Sequence, residues 1–226
     1  MNAQHYLQPL QQAFEDNRNV ENAQWASQYL KNQFAFYGVK SPERKVLFRD
    51  FYKKQGLPEK SLLEEVVRVC WQLPEREWQY VAMELLAKCK RKLSVEDLPL
   101  LEEIILQKSW WDTVDFIASD LVGYTFKKFP EERLAWTSKW ISSQNIWLQR
   151  TCIIFQLKYK KDTDFSLLTS FILPLTHSKE FFIRKAIGWA LREYAKYAPD
   201  EVLKFVEKTE LSGLSRREAL RRIQTL

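Results

Sequence analysis

Trp147-Leu148-Gln149-Arg150-Thr151 and, 35 residues later, Phe182-Ile183-Arg184-Lys185-Ala186 carry one succession: an aromatic, an aliphatic, a long polar side chain, a cation and a small residue. The same shift sets Tyr159 on Tyr194, and its reverse sets Asp115 in the register of Arg150. A repeat of this length accommodates two short helices and a turn, the unit of an α-solenoid. Asp115, Arg150 and Lys185 then occupy equivalent faces of three successive units. The tetratricopeptide pattern is not obeyed, so the array is read as HEAT-like and irregular.

Working outward, almost every segment has a helical period. Leu7, Leu10 and Phe14 mark a helix over 3–15, and Trp25, Tyr29 and Leu30 mark the apolar side of one over 22–34. Gly38 breaks the pattern. Ser41 as N-cap and Pro42 at the first helical position open a third helix with Arg44 and Lys45 on a basic face. Further helices are expected over 59–72, 75–90, 94–107 (opened by Ser94-Val95-Glu96-Asp97), 110–126, 130–141, 145–159, 164–173 and 179–197. Another follows Pro199, and Ser215 caps a short last one. No strand is expected. The fold class is all-α: a curved α-solenoid of HEAT-like antiparallel helix pairs. No linker composition divides the chain, so residues 1–226 are read as a single domain.

Composition excludes several function classes. Hydrophobic residues make up 46% of 226, ample for a core, while only five glycines are present. Neither G-x-G-x-x-G nor G-x-x-x-x-G-K-[ST] occurs, so no nucleotide cofactor of those classes is expected. No run of 18 apolar residues offers a membrane span, and the polar stretch from Met1 to Gln12 has no signal-peptide core. Cys70, Cys89 and Cys152 are odd in number and widely spaced, as buried hydrophobes of a reducing cytoplasm would be. With two histidines, His5 and His177, a His-rich metal site is excluded and a Ser–His or Cys–His nucleophile is disfavoured. No metal or other cofactor is expected, and catalysis must use carboxylates, aromatics or basic groups. Residues 145–226 hold 15 Lys and Arg against nine Asp and Glu and so carry the whole net charge of +6. A basic second half points to a polyanion, with solvated basic helices as the plainer alternative.

Lys108-Ser109-Trp110-Trp111-Asp112-Thr113-Val114-Asp115 concentrates two tryptophans and two carboxylates. On a helix, Trp111 and Asp115 share a face. A flat aromatic surface beside an anion suits a cation that is also a ring. Trp111 could equally be core and Asp112 a helix cap, which would leave Asp115 free. Arg150 on its own fits a salt bridge as well as a phosphate contact. Trp71, Trp78, Trp110, Trp136, Trp140 and Trp147 are assigned to packing between helices. Gly188, inside a helix at a cost of about 1 kcal/mol relative to Ala, implies close packing there.

Several blocks resemble the AlkD family of DNA alkylation repair enzymes. They are Tyr29-Leu30-Lys31-Asn32-Gln33-Phe34 with Gly38 and Ser41-Pro42-Glu43-Arg44, then Leu73-Pro74-Glu75-Arg76-Glu77 and the Lys108–Asp115 stretch. Asn145-Ile146-Trp147-Leu148-Gln149-Arg150 and the long block from Ser178 to Tyr194 follow. The resemblance implies HEAT-like repeats forming a basic concave groove for duplex DNA. It also implies monofunctional glycosylase activity on N3- and N7-alkylated purines, such as 3-methyladenine and 7-methylguanine, in base excision repair. Carried over by motif, the catalytic carboxylate falls on Asp115 and its aromatic partners on Trp111 and Trp189. The arginine on the DNA backbone falls on Arg150, and a tyrosine at the site on Tyr29. Lys185, Arg184 and Arg192 are candidates for further phosphate contacts. The expected partner is double-stranded DNA containing alkylated purines, bound by a monomer in the bacterial cytoplasm and nucleoid, with no membrane. Some relatives lack the catalytic Asp and bind DNA without cutting the glycosidic bond; Asp115 speaks against that here. A non-catalytic helical-repeat DNA-binding or scaffold protein is the alternative.

Overall fold

The computed structural model describes residues 2–223. Contacts within the chain group into two compact units, Met1–Lys92 and Leu93–Leu226. Both are helical, as the apolar period requires. Among the described residues the extended pairing is limited to one isolated bridge between Ala35 and Glu75.

The first unit comprises α1 (Ala3–Asp16), α2 (Val20–Tyr29), α3 (Ser41–Gln55), α4 (Lys60–Gln72) and α5 (Arg76–Cys89). Asn19 caps α2 by accepting from Asn22 N at 2.8 Å. This helix stops five residues before the expected end, because Lys31 and Asn32 adopt φ of 60° and 56° and turn the chain. Trp25 and Tyr29 are not apolar anchors as expected. They are 67% and 57% exposed and stack on each other, 5.5 Å between ring centroids. The aromatic core of this unit is built instead from Phe14, Tyr37 and Trp78, whose rings are in contact. Glu77, buried, accepts backbone N–H groups from Tyr37, Gly38 and Val39 and so fixes the connection between α2 and α3. Gly38 has φ of 86°, and a Cβ there would lie 2.0 Å from the Asn19 carbonyl oxygen, so glycine is required. Lys40, not Ser41, is the N-cap of α3; Ser41 and Pro42 begin the helix, where a missing N–H costs nothing.

The second unit comprises α6 (Leu98–Leu106), α7 (Trp111–Phe116), a π-helical segment (Ile117–Val122), α8 (Gly123–Lys128) and α9 (Arg133–Ser142). It continues through α10 (Ile146–Ile154), α11 (Phe165–Ile172), α12 (Phe181–Tyr194), α13 (Pro199–Lys208) and α14 (Gly213–Leu220). Ser212, not Ser215, caps α14: Ser215 N donates to Ser212 Oγ at 3.1 Å. α10 packs against α6, α7, α9 and α12, and α12 in turn against α14. The 35-residue register is realised as contact between layers, since Asp115 meets Arg150 and Lys127 meets Asp162. All three cysteines are buried.

The π turn between α7 and α8 breaks the i to i−4 ladder just after Asp115. Ser119 Oγ donates to the Asp115 carbonyl at 2.7 Å, and the buried Tyr159 hydroxyl donates to the Gly123 carbonyl at 2.7 Å. Gly123 permits this approach, because a Cβ there would sit 2.3 Å from the Phe155 carbonyl oxygen. Backbone cannot yield as a side-chain tip does. Gly123→Ala is therefore expected to lower stability by about 1–3 kcal/mol, the usual range for overpacking. Thermal and urea unfolding measure it; an unchanged midpoint would show that the two helices separate freely here.

Candidate functional site

Trp110, with extended backbone, is the N-cap residue of α7, and Asp112 lies in the first turn without being that cap. Its charge still favours the positive end of the helix. Trp111 begins the helix half-buried, and Asp115 follows one turn later on the same side.

Asp115 points at α10. Arg150 Nε donates to Asp115 Oδ1 at 2.7 Å and Arg150 Nη2 to Oδ2 at 2.8 Å, a bidentate pair. The third donor, Nη1, is taken by the Phe182 carbonyl in the first turn of α12. The Arg150 side chain is only 5% exposed, whereas that of Asp115 is 18% exposed. The fork of Arg150, the expected DNA-backbone arginine, joins three successive layers through Asp115 and the Phe182 backbone. Of the two readings open to it in sequence, the structure has the salt bridge.

Below the pair lies an aromatic cluster. Trp110, Trp147 and Phe182 have ring centroids 5.0–5.8 Å apart. Trp110 and Trp147 thus pack, as read from sequence. Phe182, matched to Trp147 in the repeat but given no role in sequence, contributes both its ring and the carbonyl that holds Arg150. Burial pushes the Asp115 carboxyl above the ordinary Asp range, and the Asp112 charge adds to this, while hydrogen bonds and charge from Arg150 pull it down. A protonated Asp115 would leave a buried guanidinium without a counterion, which favours the ionised pair. Two donors occupy one lone pair on each carboxylate oxygen; the other lone pair of each is left to accept from water or to face a positive centre.

The remaining sequence candidates separate into groups. Lys185, Trp189 and Arg192 are spaced four and three apart along α12 and form one stripe, Trp189 half-buried between the cations. Lys185 Nζ lies 2.9 Å from Glu218 Oε1 of α14, and Arg192 Nη1 donates to Glu218 Oε2. Arg184 Nε donates to the Ser178 carbonyl at 2.7 Å. Tyr29 belongs to the first unit, in the exposed stack with Trp25. Arg44, from the basic face of α3, is tied to Glu84 at 2.9 Å. Glu218 was missed in sequence, although it follows Lys185 by 33 residues, close to the 35-residue spacing that joins Asp115 to Arg150.

A profile described as "DNA alkylation repair enzyme" matches residues 10–223. A solved structure described as a predicted DNA alkylation repair enzyme from Enterococcus faecalis is similar, with a TM-score of 0.86 and 32% identity. The alignment covers 92% of this chain and 98% of that one. No curated protein matches significantly. With the profile spanning nearly the whole length, and a solved neighbour of the same description, the chain belongs to the DNA alkylation repair enzyme family.

Proposed function

We propose that the protein repairs alkylated DNA as a monofunctional glycosylase, hydrolysing the N-glycosidic bond of cationic N3- and N7-alkylated purines in duplex DNA. The observation that carries this reading is Asp115, a carboxylate held by Arg150 yet partly open to solvent, one turn from Trp111.

The chemistry requires little else. An N3- or N7-alkylated purine already carries positive charge and leaves without protonation, so the acid of the usual two-carboxyl glycosidase is dispensable. As the bond to C1′ lengthens, positive charge moves onto the deoxyribose. The outer lone pairs of Asp115 stabilise that charge more in the transition state than in the ground state, or orient the water that attacks C1′. Arg150 has a positioning role: it holds the carboxylate ionised and fixes its rotamer. Trp111 and Trp189 offer π faces to the cationic nucleotide, at about 0.5–2 kcal/mol per contact, which favours the alkylated over the neutral purine. Tyr29 with its stacked neighbour Trp25, together with Lys185, Arg184 and Arg192, is assigned to DNA contacts. Duplex DNA is the partner, and a monomer suffices. No helix among the described residues is long and apolar enough to cross a membrane.

The test is release of 7-methylguanine from a methylated duplex under single-turnover conditions. Release by the natural protein is expected, with an abasic site left and no strand nicked by the protein itself. The second reading, a DNA-binding protein without catalysis, is favoured by one fact: Arg150 already binds both oxygens of Asp115. Tight duplex binding with no base released selects it.

A further inference from the structure

The face of α12 that carries Trp189 is bridged by a single carboxylate. Glu218 reaches from α14 to Lys185 on one side of Trp189 and to Arg192 on the other. Gly188 makes the approach possible, since a Cβ there would lie 2.4 Å from Glu218 Cβ and 2.9 Å from the Ser215 carbonyl oxygen. The close packing implied by a mid-helix glycine is therefore made by the residue that pins the cations. The α14 backbone is anchored separately, through Ser215 Oγ donating to the Arg184 carbonyl at 2.9 Å. Lys185 stands three residues after Phe182, whose carbonyl holds Arg150, so the bridge lies one turn from the Asp115 pair.

We infer that Lys185 and Arg192 form a subsite for one DNA phosphate and that Glu218 occupies it as an internal stand-in until DNA arrives. The inference rests on the duplex-DNA reading above. A carboxylate and a phosphodiester each present two anionic oxygens to two donors, so one replaces the other without leaving either cation unpaired. The exchange needs only rotation of the Glu218 side chain, because α14 remains held by Ser215. The two cations hold the Glu218 carboxyl below the usual Glu range, with the Lys185 hydrogen bond as the largest cause, so the stand-in is charged at neutral pH. Glu218 also cancels one of the two positive charges toward random anions while keeping both side chains extended beside Trp189.

Glu218→Gln decides the matter, measured as duplex affinity against salt, with the thermal midpoint recorded alongside. Glu218→Gln is expected to bind about fivefold more tightly at low salt. The slope of log K against log salt should steepen by up to about 0.9, because the phosphate then meets both charges in full. In a Lys185→Met/Arg192→Met background the same change should have no effect. Equal or weaker binding by Glu218→Gln, or the same gain without the two cations, overturns the subsite and leaves Glu218 a clip between helices. Should the natural protein bind no duplex, the DNA reading itself fails and this inference falls with it. Should the natural protein bind while Glu218→Gln behaves identically, the inference alone fails.

Discussion

Asp115→Asn is expected to reduce the single-turnover rate of 7-methylguanine release by about 10²–10³-fold, the range for losing one preorganised charge beside a reacting centre. The substitution keeps shape and removes charge. It also leaves the Arg150 guanidinium, nearly inaccessible to water, without its anion. Breaking one side of a buried pair costs about 3–5 kcal/mol, so stability must be followed together with rate. The two effects separate because catalytic loss persists in the folded fraction, whereas a folding defect is reversed by cooling. Duplex affinity should fall little, because the change removes a negative charge from the surface proposed to meet DNA. Full release by a folded Asp115→Asn protein would remove the carboxylate from the reaction and pass the catalytic role to other groups. Apolar replacement of both partners, Asp115→Leu with Arg150→Met, should recover part of the lost stability and none of the rate.

Much of this arrangement was legible in sequence because it follows from periodicity. Helical spacing identified the helices, and the 35-residue shift identified the layer register that puts Asp115 against Arg150. That shift already placed opposite charges at equivalent positions of neighbouring units, which is the condition for a salt bridge. The DNA-backbone role came from resemblance, and resemblance says nothing about which anion a guanidinium holds before DNA binds. Periodicity likewise groups Trp25 with Tyr29 but does not say which way their face turns, and in the structure both rings are exposed. Glu218 escaped notice because the self-similar blocks end near Tyr194, so the contact between α12 and α14 had no sequence template. Gly188 was the trace it left: a glycine tolerated within a helix marks a neighbour, without naming it. The caps at Ser41 and Ser215 were misplaced by one and three residues: α3 starts after Lys40, which makes no side-chain cap, and at α14 two serines, Ser212 and Ser215, compete.

Arg150→Met should move the acid limb of the rate profile to higher pH as well as weaken the fold. Two influences pull the Asp115 carboxyl down, both from Arg150, and burial and Asp112 push it up. Without Arg150 only the upward influences remain. The ionised fraction at neutral pH then falls, and activity lost there should return as pH is raised. A phosphate clamp would behave differently: its loss weakens DNA binding and flattens the salt dependence without displacing a pH limb. The stability profile gives an independent reading. An unfolded Asp releases its proton near pH 4, and the folded Asp115 releases it at higher pH. Between those points the folded state holds more protons, so stability falls as pH rises and levels off above the folded value. Arg150→Met widens that window upward. The variant should therefore lose more of its stability between mildly acidic and neutral pH than the natural protein does, with the unpaired carboxylate costing about 3–5 kcal/mol at the neutral end. Asp115→Asn in the same background removes the titrating group and should flatten the difference. A pH profile for Arg150→Met that superimposes on that of the natural protein would mean that the guanidinium does not govern Asp115, and the positioning role would pass to the aromatic cluster beneath it.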